Sequence, residues 1–150
     1  MDCYEELKHL IESNSDIAQF ANFGEGVSPE WISRAEAALE MSLPPSYKWW
    51  LKNYSGGEVG GEEVFSIYEE DFDSVVGGDI VYTHRLNQQS GTLRQGQLAI
   101  CQSDVDGLFF FDVLSPNSDG EYPVISSATG RNTLWTSFVS SGRESRFLAE

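Results

Sequence analysis

The chain has 150 residues, 40% of them hydrophobic and 13% aromatic, which suits one domain over residues 1–150 with a buried core and excludes a disordered polymer. Its formal net charge of −15 repels nucleic acid and anionic membranes and attracts cations or a basic protein. Cys3 and Cys101 are too few for a disulfide framework, no apolar run approaches a membrane span, and the acidic start lacks a secretory h-region, so a cytoplasmic protein is expected.

The first predicted element is a short amphipathic helix in YEELKHLIES, where Leu7, Leu10 and Ile11 fall at helical spacing. Residues 13–27 read as a loop, with Phe20 and Phe23 folding back toward the core. SPEWISRAEAALE then opens with Ser28 as N-cap and Pro29 at the first helical position, and Ile32, Ala35 and Leu39 make its buried stripe with Glu36 on the flank. A further helix starts at Pro44–Pro45 and repeats Tyr47, Trp50, Leu51 and Tyr54 at i, i+3, i+4 and i+7. The pair Gly56–Gly57 ends it, as a left-handed cap.

EEVFSIYEED is a predicted strand, with Val64, Ser66 and Tyr68 on one face and Phe65 and Ile67 on the other. GGDIVYTHRLNQQSG is ambiguous: its β-branched residues favour a strand, while Asp79 as a cap and the polar tail favour a helix. QLAICQ, LFFFDV and EYPVISSA are strand-like and separated by turn pairs Asp106–Gly107 and Asp119–Gly120, which predicts an antiparallel meander. NTLWTSFVS, capped by Asn132, predicts a C-terminal helix. Helices, strands and helix in this order describe an α+β fold, with the helices packed on a mostly antiparallel sheet.

No catalytic constellation is present. The loop NYSGGEVGGEEVF is glycine-rich, but it runs from helix to strand and ends in glutamates, the wrong charge for a phosphate cradle. Asp104 and Asp106 in DVDG resemble the start of a calcium loop, yet the twelfth position is Ser115 rather than Glu, so a hairpin turn is expected and no metal. His9 and His84 stand in no triad or HExxH context, and Cys101 in LAICQ reads as a small core residue. Trp31, Trp50 and Trp135 sit on or beside apolar helix faces, which suits core packing better than a carbohydrate cleft. No cofactor is implied.

The acids are not evenly spread. Between Lys52 and Arg85 there is no Lys or Arg, whereas Glu58, Glu62, Glu63, Glu69, Glu70, Asp71, Asp73 and Asp79 all fall there. A scattered excess would serve solubility; concentration in one segment points to a binding face.

Ile32, Glu36, Leu39, Leu43, Pro44, Tyr47, Leu51 and Gly56–Gly57 together spell I-x-x-x-E-x-x-L-x-x-x-L-P-x-x-Y-x-x-x-L followed by glycines. GGDIVYTHRLNQQ, QLAICQSDVDGLFFFDV, YPV at 122–124 and TSFVS follow in order. This set, over about residues 28–140, resembles the SUKH superfamily, which includes yeast cell-wall-assembly regulators and many bacterial immunity proteins. The chain departs from that pattern at Met41, where a glycine is usual, and in SSGRESRFLAE, which lacks a continuous apolar finish. The resemblance implies the same α+β fold and a helix over 79–88.

It also implies a non-catalytic immunity protein (an antitoxin) that binds a cognate toxin, often a nuclease, with no shared site residues to carry over. A basic nuclease is the partner that the acidity suits, with Glu58, Glu62, Glu63, Glu69, Glu70, Asp71 and Asp73 as candidate contacts and Asp104 and Asp106 beside them. The alternatives are a regulatory scaffold for a cellular protein, and a small carbohydrate-active or metal-dependent enzyme.

Overall fold

The computed structural model describes residues 3–74, 77–104 and 107–127. Leu7 and Ile11, one turn apart, bury one side of α1 (Cys3–Ser13). In α2 (Pro29–Leu39) the Ser28 side chain accepts the Trp31 N–H at 3.4 Å, and Ile32, Ala35 and Leu39 are buried as their spacing predicts. The third helix, α3 (Pro45–Tyr54), turns Tyr47, Trp50, Leu51 and Tyr54 inward.

The link between α2 and α3 is fastened by polar groups. Glu36 accepts the Leu43 N–H at 2.8 Å and pairs with Lys48 at 3.3 Å. The Tyr122 hydroxyl donates to the Ser42 carbonyl at 2.8 Å. Pro44, at the cap position of α3, offers no side-chain acceptor. The carboxylate of Glu121 does that work from far along the chain, accepting the Ser46 N–H at 3.0 Å and the Ser46 hydroxyl at 2.6 Å. An anion at a helix N-terminus both satisfies an orphan donor and complements the helix dipole.

Six strands follow one another across a single antiparallel sheet in sequence order: β1 (Ala18–Phe20), β2 (Gly57–Val59), β3 (Glu62–Val64), β4 (Gln97–Ser103), β5 (Gly107–Asp112) and β6 (Val124–Ser126). Helix α4 (Ile80–Ser90) lies between β3 and β4 in the chain and resolves the ambiguous segment as a helix. This is the α+β fold and the 97–126 meander expected above. Leu98, Phe111 and Val124 stand in register across β4, β5 and β6 and are all buried. Tyr47 joins α3 to this stripe, its ring meeting Phe111 edge-on at 5.7 Å and its hydroxyl donating to the Phe65 carbonyl. No helix among the described residues is long and apolar enough to cross a membrane.

Three local expectations change. The left-handed cap of α3 is Ser55, at φ 61°, and not the glycine pair. Gly57 instead begins β2, where a Cβ would lie 2.4 Å from the Gln19 carbonyl oxygen and 2.6 Å from the Phe20 Cα; only glycine lets β1 pass this close. Gly60 and Gly61, at φ 60° and 86°, form the two-residue turn of a β2–β3 hairpin, since Val59 pairs with Glu62. The segment 13–27 contains strand β1, too short to show alternation. The strand predicted over 62–71 stops at Val64, and Phe65, Ser66 and Ile67 are all buried, so no two-sided alternation exists there. The expected C-terminal helix lies outside the described residues.

Two predictions follow from this packing. Glu121→Ala leaves the Ser46 N–H without its acceptor and should cost about 1–2 kcal/mol, seen as a lower urea midpoint at unchanged slope. His84 on α4 is buried and its Nδ1 finds no hydrogen-bond partner among the described residues; burial lowers its pKa from the ordinary 6.5. The unfolded chain therefore takes up this proton first as pH falls. The contribution of neutral His84 to stability is complete above pH 6.5 and declines below it, toward the folded-state pKa. Urea titrations at neutral and mildly acidic pH should show a smaller loss of stability for His84→Gln than for the parent.

Candidate binding face

The acidic segment is built from a hairpin and a loop that share contacts. In the hairpin, Glu58 on β2 stands in register between Gln19 on β1 and Glu63 on β3. Glu58 and Glu63 are both exposed, and like charges directly opposite each other across a strand pair are destabilising. No salt bridge among the described residues relieves them. Glu62 is half-buried and accepts from the Ser103 hydroxyl at 3.3 Å, which brings the hairpin beside the end of β4 and the exposed Asp104. Burial, then the charges of Glu62 and Glu63, push the Cys101 thiol up to about 12, so it stays protonated.

The loop that follows is closed at its neck. Ser66 N–H donates to the Gly78 carbonyl at 3.0 Å and Ile80 N–H donates to the Ser66 carbonyl at 2.7 Å, forming a parallel bridge between Ser66 and Asp79. Asp79 has no exposure to solvent. One of its carboxylate oxygens accepts the N–H groups of Val81 at 2.9 Å and Tyr82 at 3.0 Å, and the other accepts the Tyr68 N–H at 3.1 Å. It is thus the cap of α4, as expected, and also the latch of the loop. Tyr47 lies close enough to feel it: burial first, and the Asp79 charge second, raise the tyrosine well above its ordinary pKa.

Tyr68 completes the closure. Its hydroxyl accepts the Gly78 N–H at 2.9 Å and donates to Glu63 at 3.2 Å, linking loop to hairpin. Partial burial and then the Glu63 charge raise its pKa, against the lowering effect of the Gly78 N–H. Beyond it, Glu69, Glu70 and Asp71 are exposed, with Glu69 in the left-handed region at φ 57°. Phe72 turns back and packs edge-on against Trp31 of α2 at 5.7 Å. Asp73 meets Arg85 of α4 at 2.9 Å.

Of the candidate contacts, Glu58, Glu63, Glu69, Glu70, Asp71 and Asp104 are exposed and free of ion pairs among the described residues. Asp73 is neutralised by Arg85, Glu62 is partly turned into the β3–β4 contact, and Asp106 lies outside the described residues. Sequence reasoning placed Tyr68 on a strand face and counted Asp79 both as a helix cap and among the clustered acids, from whose exposed set its burial removes it. An aromatic residue set in the acidic run SIYEED was the available signal for the first.

The architecture is an antiparallel six-stranded meander carrying four described helices, with a latched acidic loop between β3 and α4. Residues 29–139 match the SUKH_6 family, described as SMI1-KNR4 cell-wall, and the chain belongs to this family of the SUKH superfamily. In this structure the hydrophobic motif residues Ile32, Leu39, Leu43, Tyr47 and Leu51 are buried, and Glu36 holds the α2–α3 link. Those motif positions build the fold.

Asp79→Asn tests the latch. It preserves shape but replaces one acceptor oxygen by a donor, and should cost roughly 1–3 kcal/mol. Amide exchange at Tyr68, Val81 and Tyr82 should accelerate ahead of the core strands.

Proposed function

We propose that this protein is a cytoplasmic, non-catalytic immunity protein that binds and neutralises a cognate toxin, a basic nuclease, through the face made by the β2–β3 hairpin and the loop at 69–73. The observation that carries this reading is the set of exposed acids without ion pairs among the described residues, including Glu58 and Glu63 in direct register. A fold that keeps like charges opposite each other at a cost to stability has a surface suited to an external cation. Membership of the SUKH superfamily supports a protein-binding role of the immunity or regulatory kind. A nuclease presents a basic cleft to phosphate, and an acidic protein fits it as a rival polyanion. Opposite fields speed encounter to roughly 10⁸ M⁻¹s⁻¹ at low salt, which suits a toxin that must be caught before it acts.

The family's cell-wall description favours a second reading, a regulatory scaffold for a cellular protein. The two differ in partner and in salt response. Capture from the native cell should return a basic nuclease whose retention falls steeply as salt rises; a salt-insensitive partner that is not a toxin would support the scaffold instead.

Charge reversal of Glu62, Glu63, Glu69 and Glu70 tests the face itself. Affinity for the captured partner should fall by at least tenfold, mostly through slower association. Unchanged affinity would remove this face from the account.

A further inference from the structure

The acidic face contains one exposed aromatic side chain, and its surroundings set it apart from the rest of the surface. Tyr68 is 38% exposed. Its backbone N–H is held by Asp79, and its hydroxyl is held by Gly78 and Glu63. The residue is therefore held at its backbone and at its hydroxyl while part of it remains open to solvent. A side chain already immobilised loses little rotamer freedom when a partner lands on it, which is the property of an interface anchor.

The chemistry that fits this ring is visible elsewhere in the same molecule. Lys8 places its ammonium 4.4 Å from the Phe23 ring centre, and Arg34 places its guanidinium 4.8 Å from that of Trp31. Phe23, also exposed at 46%, thus already carries a cation of the chain. Among the described residues no cation and no other aromatic ring stacks on Tyr68, although Glu63 touches its hydroxyl and Glu69 and Glu70 follow it in the chain. The only described Arg joined to this loop, Arg85, is taken by Asp73.

We infer that the Tyr68 ring and the Glu63 carboxylate form a receptor for one arginine side chain of the partner, the guanidinium lying on the ring and donating to the carboxylate. This rests on the binding face proposed above and names the contact at its centre. Arginine is favoured over lysine because the planar guanidinium stacks on an aromatic face while its N–H groups reach sideways to an acceptor. An ammonium is a compact, strongly hydrated point charge and gains less from the ring. The surrounding acids then supply attraction without discrimination, and Tyr68 supplies the preference.

Hexa-arginine and hexa-lysine peptides separate these contributions when titrated against the full chain at low salt. The parent should bind hexa-arginine more tightly than hexa-lysine. Tyr68→Leu, which keeps every carboxylate, should weaken hexa-arginine binding by about two- to fivefold and erase the preference. Tyr68→Phe keeps the ring and should retain the preference, even if the lost hydroxyl contacts loosen the loop. Because the arginine-to-lysine ratio is read within each variant, a general loss of stability does not mimic the effect. A parent that does not distinguish the peptides, or a Tyr68→Leu chain that still does, would overturn the inference. The binding face would survive that result if charge reversal still abolished partner capture, and would fall with it if charge reversal did nothing.

Discussion

The carboxylate of Asp79 lies wholly inside the protein and accepts three backbone N–H groups, two from the first turn of α4 and one from Tyr68. A buried charge is expensive unless it is fully hydrogen-bonded, and a helix N-terminus is the place where the backbone itself supplies the compensating donors and dipole. The rest of the acidic region depends on this bond set. It starts α4, closes the neck of the loop beside the Ser66 bridge, and brings the Tyr68 hydroxyl to Gly78 and Glu63. Gly78 lets these side-chain ends close over it: a Cβ there would lie 2.4 Å from a Glu63 carboxylate oxygen and 2.7 Å from the Tyr68 hydroxyl, and both would have to shift.

Around that latch the fold holds many negative charges close together. Local ion pairing does little to relieve them, since Asp73–Arg85 is an exposed pair, and such pairs contribute at most about 1 kcal/mol. Beside the Asp79 latch, the loop keeps its shape through Phe72 against Trp31, the Ser66 bridge, and the tyrosine hydroxyl. Outside Asp79, the residues that hold this region together are thus different from the ones that carry its exposed charge. The motif residues of α2 and α3 pack the core, and the exposed acids of the hairpin and loop stay outside it, while the buried Asp79 serves as the latch.

That division explains what could be read from the sequence. Helices α1 to α3 were legible because their signals are local: Ser28 and Pro29 at one start, the Pro44–Pro45 pair at another, and apolar spacing between. The β4–β6 meander was legible from its apolar runs and turn residues. Strand β1 was not, because its three residues are strand only by pairing with β2. Ser55, rather than a glycine, takes the left-handed position, and Gly57 instead gives room where β1 passes. The concentration of acids was plain in the sequence, but their arrangement was not. It is set by contacts that span the loop, such as Tyr68 to Gly78, and by Phe72 reaching back to Trp31.

The central claim is that residues 57–73 form the surface that meets the partner. Hydrogen exchange of the chain, free and bound to its captured partner, tests it most directly. The account predicts new protection concentrated in the β2–β3 hairpin and the loop through Asp73, with α1 and the exposed side of α2 unchanged. Protection confined to α1 and α2, with exchange at 57–73 unaltered by the partner, would contradict it.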